Sequence, residues 1–309
     1  MKGFHFIPEG TNIPFTGARM VTFAFSAILI VLSLFMLTTR GLNLGIDFTG
    51  GTLIEIKTPS IPDLKILRDE LNDLGLGAIS IQEFGEPDDL LIRIPQQLED
   101  TPEAQKESEK LAQESVKQVL TDKFEGEIDY RRTEFVGPQV GEELKKQGLY
   151  AVLFSLLGIM AYVWIRFEWQ FGVGALIALA HDTIITLGLF AATQMQFDLS
   201  TVAAVLMIAG YSINDTVVVF DRLRENLRKF KKMPLPELFN NAINQTLSRT
   251  TMTSLTTLLA LVALYWFGGE VIRGFVIALI FGIVIGTYSS IFIAAPSLLY
   301  MNIKRGSGQ

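Results

Sequence analysis

The chain alternates between long apolar runs and polar segments. Met20–Thr39 is the first run, and Gly148–Phe167, Gly172–Thr193, Leu199–Phe220, Leu247–Phe267 and Val271–Tyr300 follow. Each reaches the ~20 residues that an α-helix needs to cross a bilayer core. The last is longer, which predicts a tilted or partly interfacial course, and Pro296 is placed to disturb its final turns. The first run is too long for a signal-peptide core and has no small-residue cleavage site after it, so it reads as an uncleaved anchor.

Between the first and second runs the pattern is that of a water-soluble domain. Thr52–Lys57 alternates as a strand, and Pro62–Leu76 reads as a helix with Leu64, Leu67 and Leu71 on one face. Ile79–Phe84 and Leu90–Ile94 are strand candidates joined by the turn-rich residues Gly85–Asp89. Thr101 is placed to cap a helix that runs to about Lys123, and Glu127–Phe135 alternates again. The order β-α-β-β-α-β predicts a ferredoxin-like α+β domain. The fold class is therefore a polytopic α-helical membrane protein with six transmembrane helices, plus an extracytoplasmic α+β domain between the first and second spans. The expected organisation is an N-terminal segment at 1–19, a first span at 20–39, the α+β domain at 40–147, five spans within 148–300 with a basic loop at 221–246, and a tail at 301–309.

Composition agrees. Of 309 residues, 49% are hydrophobic and mean hydropathy is +0.36, too apolar for an ordinary soluble protein. There are no cysteines, which excludes disulfides and thiolate metal sites, and only two histidines, His5 and His181. No metal site and no cofactor are expected. The pI near 5.1 argues against nucleic acid as a partner. Charge placement sets the orientation. Residues 40–147 hold 13 Lys and Arg against 23 Asp and Glu. Arg222, Arg224, Arg228, Lys229, Lys231 and Lys232 follow the fourth run, and Lys2, Arg19, Arg166, Lys304 and Arg305 lie on the same side. Both termini are then cytoplasmic and the acidic domain lies outside, with a bacterial plasma membrane as a reasonable host. The basic stretch is also suited to anionic membrane lipid. Asn244–Thr246 matches a glycosylation sequon but falls on the cytoplasmic side.

Polar residues inside the runs are the candidate chemistry. An intramembrane carboxylate costs about 2.5–3.5 kcal/mol on insertion scales, so Asp215 needs a partner or a task. At 1.5 Å per residue it lies ~8 Å to the cytoplasmic side of the fourth span's centre, and Arg249 lies ~12 Å from the centre of the fifth. Lateral pairing of the two is feasible. His181 and Asp182 fall near the middle of the third span. One reading is a proton path through His181, Asp182 and Asp215, with Arg249 as a fixed charge that cannot itself carry a proton. The other is a static Asp215–Arg249 ion pair joining helices, or an Arg249 that snorkels to the interface. Asn214 and Ser212 are able to hydrogen-bond between helices, and Gly282 and Gly286 form a GxxxG packing motif. Gly45–Gly51 (GIDFTGG) reads as a bulge or tight turn; it lacks the lysine and following helix of a phosphate loop. No nucleotide-binding, nucleophile–base or metal-ligand pattern is present, so an enzyme is not expected.

Several of these stretches resemble the SecD/SecF family of protein-export membrane proteins, relatives of the resistance-nodulation-division transporters. They are GIDFTGG with Gly45, Asp47, Gly50 and Gly51; VGPQVGEEL with Gly137, Pro138 and Gly141; AHD with His181 and Asp182; Gly210–Asn226 with Asn214 and Asp215; and QTLSRTTMTS with Arg249. The resemblance implies a six-span half that works with SecD, the SecYEG translocon and the associated YajC. It implies use of the proton motive force to assist late translocation of unfolded preprotein, with Asp215 and Arg249 as the coupling acid and arginine. A half-transporter exporting a small molecule or lipid, and a non-transporting assembly scaffold, are the alternatives.

Overall fold

The computed structural model describes residues 8, 11–97, 99, 101–301 and 303; His5, Lys2, Lys304 and Arg305 lie outside them. The chain divides into two compact units, Leu44–Tyr150 on one hand and Met1–Asn43 with Ala151–Gln309 on the other. The helix α1, Arg19–Thr39, follows a 3-10 turn at Phe15–Ala18.

The Leu44–Tyr150 unit runs β1 Gly51–Lys57, α2 Leu64–Asn72, β2 Ser80–Phe84, β3 Glu86–Ile94, α3 Pro102–Lys123 and β4 Asp129–Val136. Asp63 caps α2 by accepting from Lys65 N at 2.9 Å, and Thr101 caps α3 by accepting from Ala104 N at 3.2 Å. The sheet order is β2-β3-β1-β4 with every neighbouring pair antiparallel, as the ferredoxin-like expectation requires. Ile54, Ile56, Leu90, Ile92 and Ile94 face Leu67, Leu71, Val116 and Leu120 of the two helices, and these side chains form the unit's core. One expectation needs correction. The residues Gly85–Asp89 do not form a turn: only Gly85 does, at φ 97°, and Glu86–Asp89 extend β3. Their turn-like composition is overridden by charge. Lys57 Nζ lies 2.7 Å from Glu86 and 3.3 Å from Asp88, and Arg131 lies 3.0 Å from Asp89, so flanking cations hold these acids in the ladder.

The remaining helices are α4 Pro138–Arg166, α5 Trp169–Thr193, α6 Leu199–Lys229, α7 Leu235–Phe267 and α8 Arg273–Ser289. With α1, and with α8 prolonged to Tyr300, six helices among the described residues are long and apolar enough to cross a membrane. The second correction concerns residues 221–246, expected as a loop. They are helical except for Phe230–Pro234, because α6 and α7 run past their apolar runs. Leu223, Leu227, Leu238, Phe239, Ala242 and Ile243 recur at helical spacing and pack with Phe15, Phe171 and Phe220 into one cluster. The amide of Asn244 is engaged by the backbone of Ile13, accepting from its N at 2.9 Å and donating to its O at 3.0 Å.

Gly282 and Gly286 make the α6–α8 crossing. A Cβ on Gly282 would stand 2.3 Å from Ile208, and one on Gly286 would stand 3.1 Å from Ser212. After α8 the helix widens into a π-helical stretch, Ser290–Ala294, before the short turn that holds Pro296. Proline offers no N–H to the preceding turn, and a local change of helical pitch accommodates this.

Candidate functional site

The polar residues of the helix bundle meet at two buried carboxyl groups. Asp182 is 1% exposed and Asp215 is 9% exposed. Asp182 stands mid-way along α5 and Asp215 on α6, and α8 supplies hydroxyls to both.

Every oxygen of the two groups has a hydrogen-bond partner. Asp182 Oδ1 lies 2.8 Å from His181 Nδ1, and its Oδ2 accepts from Ser212 Oγ at 2.5 Å and Ser289 Oγ at 2.7 Å. Asp215 Oδ1 accepts from Thr250 Oγ1 of α7, and its Oδ2 from Ser290 Oγ. A carboxyl removed from water keeps its stability only while such partners are present.

The hydrogen bonds around His181 have a readable direction. Tyr288 Oη donates to the Thr22 carbonyl at 2.9 Å, and a carbonyl only accepts. Its single hydrogen is therefore used, so Ser26 Oγ, 3.0 Å away, donates to Tyr288. Ser26 in turn accepts from His181 Nε2 at 3.1 Å. With Nε2 as a donor, the Nδ1–Oδ1 contact is satisfied by one proton shared between His181 and Asp182. The imidazole is 2% exposed and stacks on Tyr288 at 6.0 Å.

The expected residues separate into those the structure brings together and those it does not. His181, Asp182 and Asp215 belong to the buried network. Arg249 does not form an ion pair with Asp215 within 4 Å; it is exposed, on the same helix as Thr250, with its charge within electrostatic reach of Asp215. Asn214 and Gly210, one turn apart on α6, are also exposed, and nothing lies within 4 Å of a Cβ built on Gly210. Ser26, Thr250, Tyr288, Ser289 and Ser290 join the site without any distinguishing signal in the apolar pattern beyond the tandem Ser289–Ser290 in an otherwise apolar run.

The glycine motifs serve the sheet unit. Gly45 precedes a single helical turn, Ile46–Thr49, that contains Asp47, and Gly50 and Gly51 then take φ of 70° and 105°. A Cβ on Gly51 would meet Ile94 O at 2.4 Å. Gly137 O accepts from Gly141 N at the start of α4, where Pro138 is the first residue. Gly141 lies against the backbone of Gly50, a Cβ there standing 3.2 Å from Gly50 N. The two motifs thus meet backbone to backbone at Gly50 and Gly141, where a side chain on residue 141 would be tight.

Among the described residues one acidic group, Glu86 with Asp88 and Asp89, has metal-like spacing, and the ammonium of Lys57 occupies its centre.

A family model described as protein export membrane protein SecD/SecF, C-terminal, matches residues 115–304, and the SecD/SecF GG motif matches residues 35–58. The chain belongs to the SecD/SecF family. Among similar proteins, the protein translocase subunit SecF of Rickettsia rickettsii is 47% identical over 301 residues, 96% of this chain and 95% of that one. The SecF subunit of Cereibacter sphaeroides is 48% identical over 307 residues, covering 97% and 92%. The crystal structure of SecDF, a translocon-associated membrane protein from Thermus thermophilus, superposes with a TM-score of 0.83 at 36% identity. That match covers 94% of this chain and 39% of the SecDF chain, so this chain spans well under half of it. A second SecDF structure, in a super-membrane-facing form, matches with a TM-score of 0.66. The SecD/SecF fold therefore carries a multi-pass membrane protein of the protein-export pathway, a transport component.

Proposed function

We propose that the chain is an auxiliary subunit of the Sec export machinery that uses the proton motive force, together with SecD, to assist late preprotein translocation across the bacterial plasma membrane. The observation that carries the proposal is Asp215: a carboxyl inside a membrane-spanning helix, held only by the hydroxyls of Thr250 and Ser290, with the arginine charge near but not paired. An acid fixed by a guanidinium would be glue; one held by hydroxyls gains and loses a proton without losing its partners, because a hydroxyl both donates and accepts. His181 and Asp182, which share a proton deeper in the bundle, extend the route. Asn214, Gly210 and Arg249, exposed along membrane-spanning helices, suit a surface covered by a second six-span half, SecD.

In this reading both termini and the basic ends of α6 and α7 are cytoplasmic, and the ferredoxin-like unit is periplasmic, where it meets unfolded preprotein emerging from SecYEG with its associated YajC. A proton crossing a potential of roughly 150 mV releases about 3.5 kcal/mol, enough to shift a two-state equilibrium several hundred-fold. The test is preprotein export into membrane vesicles that carry or lack this chain, with and without a proton gradient. The proposal expects gradient stimulation only when the chain is present; equal stimulation in its absence contradicts it.

A further inference from the structure

Ser289 and Ser290 are consecutive, yet they bond different acids on different helices: Ser289 donates to Asp182 of α5 and Ser290 to Asp215 of α6. They stand where α8 passes into the π-helical stretch Ser290–Ala294, and such stretches recur at functional sites. Each serine also has a second acceptor within reach on its own helix. Ser289 Oγ lies 3.1 Å from the Gly286 carbonyl, and Ser290 Oγ lies 3.0 Å from the Thr287 carbonyl. Gly286 O is at the same time the acceptor for Ser290 N.

We infer that Ser289 and Ser290 are positioning residues that join Asp182 and Asp215 into one titrating unit and pass their protonation state to the helix backbone. This rests on the proton-coupling role of Asp215 proposed above.

An ionised carboxylate only accepts, so both serine hydrogens point at it. When a proton binds Asp215 at Oδ2, that oxygen becomes a donor; Ser290 Oγ accepts from it and turns its own hydrogen to Thr287 O. No proton is gained or lost by the serine. A further proton on Asp182 at Oδ2, beside the one it shares with His181 at Oδ1, turns Ser289 to Gly286 O in the same way, where its hydrogen competes with Ser290 N for the carbonyl. One serine's hydrogen bond therefore alters the backbone that positions the other. The charged or titratable groups facing the pair are His181 beside Asp182, Arg249 on α7 toward Asp215, and Tyr288, which stacks on His181; α1 contributes Ser26 and α6 contributes Ser212.

The test is an infrared titration of carboxyl C=O bands in the full chain assembled with its SecD partner in lipid vesicles, the bands being assigned with Asp182→Asn and Asp215→Asn. With both serines in place, Asp182→Asn is expected to move the Asp215 midpoint by about one pH unit or more, the scale that marks coupled sites. In Ser289→Ala or Ser290→Ala that dependence is expected to fall by more than half, and in Ser289→Thr, which keeps a hydroxyl, to persist. Should either alanine variant fail to assemble, a carbon-13 carbonyl label at Thr287 in the unsubstituted protein gives the second readout: its amide band is expected to move to lower frequency as Asp215 protonates. An Asp215 band that titrates while the coupling is unaltered by Ser→Ala, or while the Thr287 label stays fixed, overturns the serine inference alone. An Asp215 band that never titrates overturns the proton-coupling reading beneath it.

Discussion

Thr250, not Arg249, holds Oδ1 of Asp215, although the two residues are adjacent on one helix and the charged one is the more obvious partner. The hydroxyl makes the contact, and the guanidinium stands beyond ion-pair distance.

Substitutions at these two positions are therefore expected to differ in kind. Thr250→Val leaves a buried carboxyl oxygen without its donor and is expected to cost about 1.5–3 kcal/mol of stability, whereas Thr250→Ser costs little. Thermal unfolding of the assembled complex separates them. For Arg249, which makes no ion pair with Asp215, the proposed function requires only the charge. Arg249→Lys is expected to retain gradient-stimulated export, and Arg249→Gln to lose it.

Gly51 has a positive φ and Ile94 O at 2.4 Å from any added Cβ, whereas Gly75 also has a positive φ, 71°, but open space around it. Gly51→Ala is expected to destabilise the sheet unit by several kcal/mol, combining backbone strain with a clash against a carbonyl, and Gly75→Ala by about 1 kcal/mol. Hydrogen exchange of β1 amides is the measurement; equal loss of protection in the two variants would contradict the close approach.

At the α6–α8 crossing, a methyl at Gly282 meets the side chain of Ile208. Gly282→Ala is expected to weaken the bundle by about 1–3 kcal/mol, in the range of overpacked cores. Ile208→Ala in the same chain removes the obstacle, so the double variant is expected to be more stable than the sum of the single effects. Simple additivity would show that the two residues do not meet.

Glu55 is buried within β1, and burial holds its carboxyl above the ordinary range, opposed by the neighbouring Arg132 and Arg131. A carboxyl raised in the folded state binds more protons there than in the unfolded chain. Stability from this group therefore falls as pH rises from the ordinary carboxylate range through the raised folded value. Glu55→Gln is expected to flatten that part of the stability profile of residues 44–150, read by hydrogen-exchange protection at several pH values.

What the sequence made legible follows from how local the signals are. Apolar run length marks the six membrane helices, and alternation with caps at Asp63 and Thr101 marks the elements of the ferredoxin-like unit. The ends of α6 and α7 were hidden because their charged faces mask the buried stripe of Leu223, Leu227, Leu238 and Phe239. Glu86–Asp89 read as a turn because the cations that neutralise them, Lys57 and Arg131, come from other strands. Asp182, His181 and Asp215 stood out as rare ionisable residues in apolar runs. Their hydroxyl partners did not, since serine and threonine are ordinary in such helices. Which of them reaches an acid is set by rotation between helices, and no single run encodes that.

The central claim is that Asp215 exchanges a proton that drives export. The most direct measurement is preprotein translocation into vesicles containing Asp215→Asn, with the variant's assembly with SecD confirmed by co-purification. The variant is expected to assemble at the level of the unsubstituted chain and to give no acceleration when a proton gradient is imposed. Full gradient-driven acceleration with asparagine at position 215 would contradict the account.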